Sequence, residues 1–228
     1  MEASGYVDIF ATKGIEYLLV IGFLLALVLF WRLLTRSTPR ARGVGATAGP
    51  APWFSLASDR FYHQGHTWAV PEGRDVVRVG MDDFAQKLLG QPRSVNLPRV
   101  GEIVEQGEKA LGVEIGTKSV GLLSPVGGRV LDVNEEILRT PRLINEDPYG
   151  KGWLFKVSVP RMAPTLKNLL SGKLAWTWME NTVVSLRGRM AGELGPVIQD
   201  GGLPVSGFAK ELSPEQWDEI AREFLLTE

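Results

Sequence analysis

The sequence predicts a mainly β body with a few helices, preceded by one transmembrane helix and followed by a helical extension. Three observations carry this expectation. Short β-type runs broken by turn residues begin at Phe61, an almost wholly apolar run covers 15–34, and apolar residues beyond Lys156 recur at steps of three and four. The 228 residues suffice for one domain with extensions. The 26 Gly and 14 Pro suit a turn-rich fold.

Composition excludes several functions at once. The formal charge is −1, from 25 Lys and Arg against 26 Asp and Glu, so no basic field recruits nucleic acid. The absence of cysteine removes disulfides, thiol nucleophiles, iron–sulfur clusters and zinc-thiolate sites. With two histidines, His63 and His66, and no third soft ligand, neither a metal site nor His-based catalysis is expected. No phosphate-cradling glycine loop and no serine nucleophile elbow occurs. The chain is therefore read as a non-enzyme.

Residues 1–14 form an N-terminal tail. From Ile15 to Leu34 the chain is almost wholly apolar, and twenty helical residues rise about 30 Å, the thickness of a bilayer core. Glu16 and Arg32 lie near its ends, and Tyr17 and Trp31 stand where an aromatic belt would place them. Arg36, Arg40 and Arg42 follow the run without an acid before Asp59, which predicts a single-pass cytoplasmic-membrane protein with its N-terminus out and its bulk in the cytoplasm. A cleaved signal peptide, with Ala46-Thr47-Ala48 as its site, competes less well because the segment before the run lacks positive charge. Residues 35–60 are expected to be a flexible linker, rich in Arg, Gly, Ala and Pro from Thr35 to Pro52.

Strands are expected at Thr67–Val70, Asp75–Val79, Leu111–Ile115 and Gly128–Val133, with a helix from Asp82 to Leu89 stopped by Gly90. Together they suggest a compact β-sandwich or barrel. The adjacent acids Asp82-Asp83 and Glu135-Glu136 diverge on any regular element, which suits solvent faces better than acid/base catalysis.

Several segments carry a resemblance. They are His66-Thr67-Trp68, Val79-Gly80-Met81-Asp82-Asp83-Phe84-Ala85-Gln86, Leu97-Pro98-Arg99-Val100-Gly101-Glu102, Ser124-Pro125-Val126-Gly127-Gly128 and, above all, Leu143-Ile144-Asn145-Glu146-Asp147-Pro148-Tyr149-Gly150 leading to Gly152-Trp153. Over 61–181 the chain resembles the glycine cleavage H-protein family. The resemblance implies a lipoyl-type hybrid β-sandwich (a barrel-sandwich hybrid) in which a hairpin presents one lysine bearing lipoate.

In that family the motif Glu-Ser-Val-Lys precedes the proline of Ala-Pro-x-x-Gly, with the lysine eight positions before it. Here the corresponding stretch is Glu114-Ile115-Gly116-Thr117-Lys118-Ser119. Counting forward from Glu114 and counting eight back from Pro125 both reach Thr117, so Lys118 is one residue late. A threonine hydroxyl cannot form the amide that holds lipoate, and a one-residue slip in a strand turns a side chain to the other face. The expectation is a chain without lipoate at Thr117. The alternative is a lipoyl carrier, an aminomethyl or electron shuttle modified on Lys118, with a glycine-cleavage-type enzyme as client.

Beyond the body, Leu166, Leu169 and Leu170 open a helix, and Trp176, Met179, Val183, Leu186 and Met190 continue a seam. Residues 182–228 form a C-terminal extension. Its last helix is announced by Ser213-Pro214-Glu215-Gln216, a capping box with proline at the first helical position. The stripe Trp217, Ile220, Phe224 and Leu225 must bury itself against the body or a protein partner, and these four are the expected docking residues. The whole is read as a docking or structural subunit of a cytoplasmic-side membrane assembly.

Overall fold

The computed structural model describes residues 9–34, 53–193, 206–209 and 217–227, with side chains over 17–30, 53–189, 206–209 and 217–227. The chain divides into two units, Met1–Thr47 and Ala48–Glu228.

Among the described residues, the first unit contains helix α1 (Ile9–Leu34). The transmembrane helix expected over 15–34 is corrected here: among the described residues no helix is long and apolar enough to cross a membrane. Lys13, Glu16 and Arg32 lie within α1. The charge-free stretch between Glu16 and Arg32 rises only about 22 Å, short of the roughly 30 Å of a hydrocarbon core. The expected membrane partner and single-pass orientation rested on that span. Most of the expected linker and the capping box at 213–216 lie outside the described residues.

The second unit is built on two antiparallel sheets. Strands β1 (Phe61–Tyr62), β2 (Thr67–Pro71), β3 (Val76–Met81), β5 (Ile103–Val104), β8 (Gly128–Val133) and β9 (Trp153–Ser158) make a six-stranded sheet in the order β1-β2-β3-β9-β8-β5. Strands β4 (Ser94–Asn96), β6 (Lys109–Ile115) and β7 (Lys118–Leu123) make the second, in the order β4-β6-β7. Val77, Val79, Phe155 and Val157 from the first sheet and Val113, Val120 and Leu122 from the second fill one core, each at most 6% exposed. The β-rich body is thus as expected.

Short helices close the ends. They are α2 (Asp83–Leu89), α3 (Glu135–Arg139), α4 (Leu143–Glu146) and α5 (Met162–Lys167). Helix α2 begins where Asp82 accepts from the Ala85 amide and ends at Gly90, whose φ of 85° suits glycine. Asn134 caps α3 through the Glu136 amide and, with its side-chain amide, donates to the carbonyls of Lys151 and Trp153. Asn145 on α4 donates to the carbonyls of Gln86 and Gly90. Asp82 and Asn145, from segments that carried the resemblance, therefore tie neighbouring elements together.

Two expectations about the edges of the body change. Trp53 and Phe54, placed in the flexible linker, are buried in the core, where Phe54 meets the Phe84 ring at 4.9 Å. The long helix α6 (Gly172–Glu193) buries only part of the expected seam, Met179 and Leu186 fully and Val183 in part. It buries Ala175, Met179, Thr182 and Leu186, leaves Trp176 39% exposed, and lodges Trp178 against Tyr62 and His66. Met190 lies outside the described side chains.

Candidate functional site

The site at issue is the turn between β6 and β7. Ile115 pairs with Lys118, leaving Gly116 and Thr117 as a two-residue loop. Gly116 takes φ 61° while Thr117 stays outside the positive-φ region, the pattern of a type II′ turn that matches strand twist. Thr117 is exposed at this apex. Behind it the ladder runs without slippage from Glu114↔Ser119 to Leu111↔Leu122.

Lys118 is consequently the first residue of β7 and alternates in phase with buried Val120 and Leu122. Its ammonium pairs with Asp218 at 3.1 Å and lies 5.1 Å from the centre of the Trp217 ring. Both partners belong to α7 (Trp217–Leu225). Glu114 is turned elsewhere: its carboxylate accepts from the Ser94 hydroxyl across the β4–β6 pair.

A second, buried cluster carries no equivalent open chemistry. His66, at φ 61°, places Nδ1 2.8 Å from Asp82 Oδ2, and its ring stacks 4.1 Å from Phe84 and 4.6 Å from Trp178. Asp83 accepts from the Ser55 amide, Gln86 Nε2 and Lys87 Nζ. The reading of Asp82-Asp83 as a solvent face is thus wrong. A cap, an imidazole and a neighbouring loop amide together satisfy two carboxylates that burial would otherwise penalise. Trp68 donates to the Met81 and Pro148 carbonyls, with the Arg60 guanidinium 4.5 Å from the centre of its ring.

Titration in this cluster follows burial. Burial, then the charge of Asp82, pushes the Tyr149 hydroxyl far above the ordinary phenol range. Tyr62 is pushed up chiefly by burial. Tyr149 donates to the Ser55 carbonyl and accepts from the Asp83 amide, a structural tie. His63 is held below its ordinary value by burial and then by neighbouring His66, and its Nδ1 accepts from the Gly65 amide.

Comparison with known proteins decides what this frame is. The family model for the glycine cleavage H-protein matches residues 60–182, more than half of the chain. The chain belongs to the glycine cleavage H-protein family. The glycine cleavage system H protein of one Thermus thermophilus strain is 43% identical over 118 residues, covering 52% of this chain and 91% of the relative. That of a Mycobacterium tuberculosis strain is 45% identical over 105 residues, 46% of this chain and 78% of the relative. A crystal structure of the Mycobacterium marinum H protein is similar at 32% identity with a TM-score of 0.49, covering 56% of this chain and 99% of that one. H-proteins are carriers rather than catalysts, and they carry lipoate on a lysine.

The hairpin does not fit that group at its apex. Thr117 offers a hydroxyl, which cannot form the amide. Lys118 has the required nitrogen, but on the adjoining strand and engaged with Asp218 and Trp217. Gly116 does not bend the chain enough to bring Lys118 to the tip, because Ile115 and Lys118 already close the turn as partners.

The residues expected to dock a partner are placed differently. Trp217, Ile220, Phe224 and Leu225 join the body's own core, each at most 7% exposed, and the Phe224 ring lies 5.3 Å from Phe84. The amphipathic stripe is satisfied within the chain, so it offers no free docking face in this arrangement. Sequence reasoning missed Asp218 and Trp178. The first belongs to no motif, and the second sits one position off the seam that the spacing suggested.

Proposed function

We propose that this member of the H-protein family is a non-catalytic docking or structural subunit that carries no lipoate at Thr117. The observation that carries the reading is the identity of the apex residue. A swinging arm needs an acylated amine where the hairpin turns, and that place holds threonine. The body is held by buried joints at Trp68, Asp82, Asn134 and Asn145, so a surface built on this frame remains available for recognition. Its partner would be a protein that reads an H-protein surface, as a glycine-cleavage-type enzyme would.

One observation favours a second reading, that of a lipoyl carrier modified on Lys118. The lysine is a single residue from the apex and its side chain is 34% exposed. Intact-mass measurement of the chain purified from its own host separates the two. The first reading expects the mass of the unmodified polypeptide. A lipoyl adduct that disappears in Lys118→Ala would establish the second.

A further inference from the structure

Helix α7 meets the hairpin through two kinds of contact. Its apolar stripe of Trp217, Ile220, Ala221, Phe224 and Leu225 enters the core. Its polar side forms ion pairs from Asp218 to Lys118 and from Glu219 and Glu223 to Arg189 of α6. The body is shaped to receive this extension. The Leu225 carbonyl lies 2.9 Å from where a Cβ on Gly65 would be, so only glycine lets the helix end approach there. Gly90 likewise faces Gly207, whose amide donates to the Lys87 carbonyl, and neighbouring Phe208 and Ala209 are buried. A nine-residue helix is too short to persist alone in water, so α7 is helical when docked and loses its helix when released.

We infer that α7 is an intramolecular strap that withholds the Lys118 amine. Docked, it holds the ammonium between a carboxylate and an aromatic ring and covers the adjoining part of β7. Released, it leaves Lys118 as a solvated amine beside the hairpin apex. The strap is independent of whether the cell ever places lipoate on that lysine, and its test uses chain verified as unmodified by mass.

The experiment is acylation of the full chain with an acetyl N-hydroxysuccinimide ester, followed by peptide mapping with exposed Lys151 as the internal reference. The acetyl group passes to the lysine nitrogen, N-hydroxysuccinimide leaves, and the amine gives up a proton. In the parent chain Lys118 should react more slowly than Lys151. In Ile220→Asp, with hydrogen exchange accelerated across 217–225 and unchanged in the sheets, the Lys118 rate should rise at least about threefold. Asp218→Asn, which leaves the apolar stripe intact, should raise it about twofold. A parent Lys118 that reacts as fast as Lys151 would overturn the strap, as would an unchanged rate once α7 exchanges freely. If Ile220→Asp loosens the sheets as well, Asp218→Asn decides, and the absence of any rise there overturns the inference.

Discussion

Two regions of the body differ in what binds them to the fold. Around α2, each functional-looking group is committed to structure. His66 is spent on Asp82, Asp82 on the helix cap, and Trp68 on two carbonyls beneath a guanidinium. At the β6–β7 hairpin the ladder fixes the strands, but the exposed apex residue bonds to nothing that the core needs. Under the proposed function, the contrast teaches that an H-protein frame can persist without an amine at the hairpin apex. The frame is held by buried joints, and the apex is held by a turn that accepts many residues.

The largest effect should come from the buried cluster. Asp82→Ala removes the partner of His66 and the N-cap of α2 together, and should cost about 3–5 kcal/mol in urea unfolding. A cost under about 1 kcal/mol would show that the joint is not what holds this cluster. Next is Gly80→Ala, whose added methyl would run into the Trp68 ring and should destabilise by about 1–3 kcal/mol, read as a lowered Tm.

The pH dependence sharpens the same contrast. His63 is depressed in the folded chain by burial, so the unfolded chain takes up its proton first. Its contribution is intact above the unfolded value near pH 6.5 and is lost as pH falls through the lower folded value. His63→Gln should therefore flatten the stability profile on the acid side of pH 6.5, and an unchanged slope would contradict the assignment. The smallest effect is expected at the apex, where Thr117→Ala should stay within about 0.5 kcal/mol of the parent.

Legibility in the sequence follows the same division. Strands β2, β3, β6 and β8 and helix α2 were readable because alternation, a capping Asp and a terminal Gly are local signals. The apex was readable only through the resemblance, whose motif places it by counting from Glu114 and from Pro125. Local signals could not show that Asp82 and Asp83 are buried, since their partners, His66 and Ser55, are 16 and 28 residues away. Nor could they decide where Trp217 and Phe224 go. An amphipathic stripe states that it must be covered, while the cover itself is a tertiary fact. The apolar run in α1 was legible as hydrophobic, but a run is not a span, and its charge-free part is too short for one.

The most direct measurement of the central claim compares the parent with Thr117→Lys, both produced with lipoate-attaching enzymes and free lipoate, by intact mass and peptide mapping. With the amine restored at the turn, the variant should gain a lipoyl group on residue 117 while the parent keeps its sequence mass. A parent chain that gains the group on Lys118 under the same conditions would contradict the account.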